Sequence, residues 1–223
     1  MSDYLDITEN FLTKCECVDL INLARTKISP AKVTTLHGEE ESDLRSNNFK
    51  AYFKSSNPEI KTLIQKSIKQ FQISPDKLEF INITCTKPGG FFGSHVDYFS
   101  KEQLLVQNFF GGQREKVILI YLNEVKSGGE TFFLGRKIKP TVGKAVVLNS
   151  LQPNGEGNPN TVHRASRVNE GEKWVVTIHC RQKRSLFSHP LFPPSNFFRA
   201  LAFRKPVFYI IRFFNEKIRR MKL

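Results

Sequence analysis

Lys87-Pro88-Gly89-Gly90-Phe91-Phe92-Gly93-Ser94-His95-Val96-Asp97 is the stretch whose reading decides the fold. A flexible glycine turn at Gly89-Gly90 is expected to feed a strand, and in a strand residues i and i+2 point to the same face. His95 and Asp97 would then project an imidazole and a carboxylate together. By itself His-x-Asp arises by chance and is more often a surface turn than a ligand pair, so the reading depends on what accompanies it.

Far along the chain, His163 on a second strand offers a third donor. Two nitrogens and one carboxylate oxygen on one face of an octahedron leave three positions open, the arrangement that suits Fe(II) oxygen chemistry. A 2-oxo acid takes two of those positions and O2 the last, which a closed structural site does not allow. Ten residues past His163, Lys173 opens the apolar strand Trp174-Val175-Val176-Thr177-Ile178. A buried ammonium is costly unless an anion meets it, and the distal carboxylate of 2-oxoglutarate is such an anion.

Further matches surround these residues. They are Ser127-Gly128-Gly129-Glu130-Thr131-Phe132-Phe133, Ile138-Lys139-Pro140 through Gly143-Lys144-Ala145, Leu148-Asn149-Ser150-Leu151-Gln152-Pro153-Asn154-Gly155, and Val162-His163-Arg164-Ala165-Ser166-Arg167-Val168 running into Gly171-Glu172-Lys173-Trp174. With them, residues 79–183 resemble the catalytic domain of the prolyl 4-hydroxylase family of Fe(II)- and 2-oxoglutarate-dependent dioxygenases. The resemblance implies a double-stranded β-helix, or jelly roll, with His95, Asp97 and His163 as iron ligands and Lys173 paired with the 2-oxoglutarate carboxylate. It places Thr131 and Thr177 beside that pocket. It also implies oxidative decarboxylation of 2-oxoglutarate to succinate and CO2, with ascorbate as a reductant. Arg45-Ser46-Asn47-Asn48 resembles the Arg-Ser segment that the family sets near its peptide groove.

Two pocket positions depart from the pattern. Thr86 stands where the family often has a tyrosine, and His179 where it often has a tryptophan. Neighbouring chemistries fit less well: halogenating relatives lack the carboxylate that Asp97 provides, and nucleic-acid demethylating relatives carry an arginine where Lys173 stands. Lysyl hydroxylases also use arginine there.

Outward from the motif, short β-branched runs bounded by Gly, Pro, Asn and Asp predict strands near Phe80–Thr86, Lys116–Leu122, Glu130–Leu134, Ala145–Asn149 and Trp174–Cys180. Before them, Leu12, Val18, Ile21 and Leu23-Ala24 follow helical spacing. Asn57 and Pro58 start a second helix carrying Ile60, Leu63, Ile64, Ile68 and Phe71. The fold class expected is α+β, with helical support over residues 1–78 flanking a jelly-roll core over 79–183. In the loop Tyr98–Gln113, Leu104-Leu105-Val106 and Phe109-Phe110 form either a lid hinged at Gly111-Gly112 or a patch packed on the jelly roll. A second long loop is expected at Ser150–Asn160. His37 and His189 read as ordinary polar residues, as does His179, although its strand brings it near the pocket.

With 223 residues, 39% of them hydrophobic and 25% charged, the chain suits one domain, 1–183, plus an extension. The acidic start at Met1-Ser2-Asp3-Tyr4-Leu5-Asp6 does not read as an export signal. Four scattered cysteines suit a reducing, cytoplasmic compartment. Residues 184–223 carry nine Lys/Arg against Glu216 alone, so +8 of the net +13 lies in this Phe-rich tail. As an amphipathic helix it is a cap on the domain, or a contact for an anionic membrane surface or acidic partner. Nucleic acid is the least favoured partner. The function expected is hydroxylation of proline in a protein or peptide. Two alternatives are a small-molecule or lipid-linked substrate for the same chemistry, and an inactive membrane-associated binding protein.

Overall fold

The computed structural model describes residues 4–31, 33–35, 38–40 and 43–188. His37 and residues 189–223, which hold His189 and nearly all of the expected tail, lie outside the described residues.

Nine strands build the main sheet with one short addition: β1 Leu5–Thr8, β2 Arg45–Phe53, β3 Ile81–His95, β4 Arg114–Tyr121, β5 Thr131–Phe133, β6 Arg136–Ile138, β7 Ala145–Asn149, β8 His163–Ala165 and β9 Lys173–Arg181. The order is β1-β7-β4-β9-β3-β8-β5-β6, with β2 on the remaining edge of β3 and Ser29–Pro30 added to β2. Every pairing is antiparallel. The sheet curls because β3 changes partners along its length. It pairs with β9 over Asn82–Thr86 and with β8 at Phe92 and His95.

Alternation along β9 separates two environments. Trp174, Val176, Ile178 and Cys180 join the main core, while Lys173, Val175, Thr177 and His179 face a cavity. Two helices, α1 (Lys14–Arg25) and α2 (Lys61–Phe71), contribute to that core. A capping box at Thr13 and Glu16 starts α1, which buries Cys17, Leu20 and Ala24. Asn57 Oδ1 accepts from Glu59 N–H at 2.8 Å and Pro58 opens the turn leading into α2, which buries Leu63, Ile64 and Phe71. Each large apolar side chain so buried contributes about 1.5–3 kcal/mol. A second cluster, including Leu5, Leu119, Phe133, Ile138 and Leu148, fills the space within the curl. Among the described residues no helix is long and apolar enough to cross a membrane.

Several expectations need correction. Residues 1–78 are not a purely helical support, because β2 lies there beside β3 from Ile81 to Phe92. Its outer positions Phe49, Ala51 and Phe53 pack on the core, whereas Asn48 and Lys50 face the polar cavity, which conceals the strand in an apolar-pattern search. Val18 is exposed; Leu12 precedes α1, tied by its N–H to the Gly143 carbonyl at 3.2 Å.

The glycines do not start a strand but interrupt one. Pairing of β3 with β2 slips between Thr86↔Asn48 and Phe91↔Ser46, so that Lys87-Pro88-Gly89-Gly90 bulges opposite Asn47. Gly89 and Asn47 take positive φ values of 81° and 47°, and a bulge tolerates the missing N–H of Pro88. A Cβ on Gly90 would stand 2.7 Å from Thr86 Cγ2 and 2.8 Å from the carbonyl oxygens of Lys87 and Ser46. Gly90→Ala is therefore expected to cost about 1–3 kcal/mol of stability, read as a lower urea midpoint; an unchanged midpoint would show that the bulge relaxes freely.

The segment after Asp97 packs against the domain. It forms α3 (Lys101–Gln107), started by a Ser100/Gln103 capping box, and a 3-10 turn at Asn108–Phe110. Val106 and Phe110 are buried and only Phe109, 63% exposed, stands out. The Ser150–Asn160 loop closes on itself through a Leu151↔Gly157 bridge.

Candidate active site

The cavity, of about 250 Å³, opens between β2, β3, β9 and the β5/β8 side of the curl. His95 ends β3 and His163 begins β8, and the two are direct cross-strand partners. Residues 68 apart in sequence thus become neighbours through one register. Asp97 lies two residues beyond the end of β3, so its carboxylate is placed by the turn that follows and not by strand alternation.

Ligand atoms of His95, Asp97 and His163 all lie within 4.8 Å of one another. His163 Nδ1 is 2.9 Å from the Thr161 carbonyl and His95 Nδ1 is 2.8 Å from the Gly93 carbonyl. With Nδ1–H donating in each ring, both Nε2 atoms are left as lone-pair donors, the usual way a backbone carbonyl orients a metal-binding histidine. His163 Nε2 is 3.6 Å from Asp97 Oδ2. His95 stacks on Phe92, with centroids 3.7 Å apart, and His163 on Phe133 at 5.4 Å.

Burial, reinforced by His163, pushes His95 down to about 3, so its ring is neutral and ready to ligate near pH 7. Burial alone would raise Asp97; the nearby His179, His163 and His95 outweigh it and hold the carboxyl well below its ordinary value. Two imidazoles and one carboxylate form a donor set suited to a divalent transition metal such as Fe(II).

Lys173 begins β9, opposite Thr86. It is 4% exposed, and its Nζ donates to Thr131 Oγ1 at 3.1 Å. Burial lowers it to about 7 against a smaller opposing pull from Glu130. Tyr121 Oη donates to the same Thr131 Oγ1 at 2.7 Å, and Lys173 Nζ lies 5.5 Å from the Tyr121 ring centroid. Thr177 faces the cavity two positions before His179, and Thr86 Oγ1 donates to Asn48 Oδ1 at 2.6 Å. The structure thus brings together all seven residues singled out in the sequence: His95, Asp97, His163, Lys173, Thr86, Thr131 and Thr177.

Some residues escaped that reading. Tyr121 ends the apolar run of β4, where its hydroxyl was the only signal. Arg114 and Glu79 line the same cavity, beside Arg45 of the expected groove segment. His179 lies near the pocket as its strand position suggested, with its Nε2 3.7 Å from Asp97 Oδ1 and outside the metal-ligand cluster. Among the described residues, Arg45 Nε, Asn82 Oδ1 and His179 Nδ1 are buried without a hydrogen-bond partner, so the cavity presents polar atoms that a polar ligand would satisfy.

Comparison with known proteins gives this geometry a family. Residues 81–181 match the 2OG-Fe(II) oxygenase superfamily. Prolyl 4-hydroxylase 1 of Arabidopsis thaliana is 31% identical over 197 residues, covering 79% of this chain and 68% of that protein. The chain belongs to the prolyl 4-hydroxylase family. A second family member, prolyl 4-hydroxylase 13 of Arabidopsis thaliana, is 27% identical over 198 residues, covering 78% and 69%. The viral collagen prolyl hydroxylase of Paramecium Bursaria Chlorella virus-1, in its 2OG complex, superposes with a TM-score of 0.63 at 24% identity, over 81% of this chain and 97% of that one. That likeness establishes the fold, the jelly roll of 2-oxoglutarate oxygenases. Within this prolyl 4-hydroxylase family site, Tyr121→Phe tests the support under Lys173. Losing one buried hydrogen bond costs about 1 kcal/mol, so affinity for 2-oxoglutarate is expected to fall severalfold in a calorimetric titration.

Proposed function

We propose that this protein hydroxylates proline in a protein or peptide, with Fe(II) held by His95, Asp97 and His163 and with 2-oxoglutarate as co-substrate. The observation that carries the reading is the pairing, across one cavity, of the two-histidine, one-carboxylate cluster with a buried lysine whose Nζ donates to Thr131 Oγ1. When bound, the metal and co-substrate supply O2-dependent hydroxylation with release of succinate and CO2. The chain supplies the positions. Lys173 and Thr131 receive the distal carboxylate, Thr86 and Thr177 flank the space between it and the metal ligands, and Val175 and Leu119 line the same cavity with apolar surface. Ascorbate would serve as the external reductant.

The Arg45–Asn48 end of β2 borders the cavity and is the side from which a peptide would approach. Residues 1–183 would be the catalytic unit and 184–223 a basic extension contacting an anionic membrane surface or acidic partner, in the cytoplasm. The experiment is succinate formation from 2-oxoglutarate by anaerobically iron-loaded protein, with and without proline-rich peptides, followed by mass analysis. Turnover with one oxygen atom added to proline supports the proposal. Turnover that leaves every peptide unmodified overturns the peptide assignment and directs the search to small or lipid-linked substrates.

A further inference from the structure

Glu79 lies just before β3, and the metal cluster does not include it. Its carboxylate is clasped by Arg114, with Nε to Oε1 and Nη2 to Oε2 both at 2.8 Å, and is met on Oε1 by Arg181 Nε at 2.5 Å. This is a bidentate fork of the kind that fixes geometry as well as charge. The fork continues toward the site: Arg114 Nη1 donates to the Asp97 backbone carbonyl at 3.2 Å. A second route runs through the main chain. Glu79 N–H donates to the His179 carbonyl at 3.0 Å, and the His179 ring faces the Asp97 carboxylate. Arg181 also donates from Nη1 to the Gly112 carbonyl and from Nη2 to Gln107 Oε1, holding the far end of the segment that follows Asp97.

Asp97 has left the strand, so no ladder of sheet hydrogen bonds fixes it as one fixes His95. Something else must hold the turn in register with the two histidines. We infer that Glu79 and Arg114 are positioning residues for the metal centre: the buried Glu79 carboxylate locks the Arg114 guanidinium, which holds the Asp97 main chain so that its carboxylate meets His95 and His163. The inference rests on the metal assignment proposed above and adds residues outside the three-ligand cluster. A charge pair this buried costs desolvation free energy that an apolar pair would not; fixing a ligand outside the sheet is the use that accounts for it.

Arg114→Met is the variant of choice, because Glu79 keeps Arg181 as a partner and no carboxylate is stranded. Arg114→Lys retains the charge but not the fork. Each is titrated with Co(II) alone, following affinity and the visible d–d absorption, beside the thermal midpoint of the metal-free protein. Partners of this kind typically support metal affinity by about 10–100-fold. The expected result is a loss in that range for Arg114→Met, with an altered absorption envelope and a metal-free midpoint near wild type. Wild-type affinity and spectrum in a folded Arg114→Met overturn the inference. Should that variant fail to fold, Arg114→Lys decides on the same readings: weakened binding with a changed spectrum supports it, and wild-type behaviour overturns it. Asp97→Ala runs alongside. If Asp97→Ala binds Co(II) as tightly as wild type, the metal assignment itself has failed and the positioning role falls with it, whatever Arg114 does.

Discussion

Asp97→Ala is expected to lower succinate formation from 2-oxoglutarate by about 1,000-fold or more. The magnitude follows from comparison: loss of a group that merely orients a ligand costs about 10–100-fold in metal affinity or activity, and Asp97 is the one anionic donor of the three. Without it two imidazoles remain, a site of lower charge and lower denticity for a divalent cation. The fold should survive. Asp97 lies outside the sheet, and its main-chain carbonyl, which takes the Arg114 hydrogen bond, is retained by alanine. Asp97→Asn keeps shape and removes charge, so its loss should approach that of alanine if charge governs ligation. Retention of more than about a tenth of wild-type turnover in Asp97→Ala, at equal Fe(II) loading, would remove Asp97 from the metal site.

How far the sequence exposes this site depends on which physical relation carries each residue. His95 and Asp97 are local to one motif, and His163 and Lys173 stand in runs with their own glycine contexts, so pattern and spacing reach them. What pattern cannot supply is register. That His163 lies opposite His95 is a property of β8 pairing with β3, and it sets the separation of the two imidazoles. Alternation also misleads at one point: His95 and Asp97 are two apart, but the strand ends between them, and Arg114 and His179 do the placing. Strand β2 was hidden for a different reason. Its cavity face carries Asn48 and Lys50, polar because the site is polar, and only Phe49, Ala51 and Phe53 at spacing two mark it as a strand. Tyr121 and Glu79 were missed because each looks ordinary in sequence, a tyrosine closing an apolar run and an acid before a strand. Their roles come from partners 10 and 35 residues away, Thr131 and Arg114.

Lys173→Met is expected to weaken 2-oxoglutarate binding by about 100-fold or more, since breaking one side of a buried ion pair costs about 3–5 kcal/mol. The same lysine predicts a pH dependence. In the free site burial holds Lys173 at about 7. A bound carboxylate stabilises the ammonium and raises that value, so the complex holds its proton at pH values where the free protein has lost it. Below pH 7 the lysine is charged before and after binding, and affinity should be flat. Above pH 7 binding must take up a proton, and affinity should fall by up to tenfold per pH unit until the raised value in the complex is reached. His95, lowered to about 3, does not titrate in this window. Calorimetry of 2-oxoglutarate binding to Ni(II)-loaded protein at pH 6.5 and 8.5, in two buffers of different ionisation enthalpy, measures both the affinity and the proton uptake (the pH values chosen to bracket about 7). Wild type should take up close to one proton at the higher pH and only about a quarter of one at the lower, whereas Lys173→Met should take up none at either. Equal uptake in the two proteins would assign the proton to another group and leave Lys173 without the role of anion anchor.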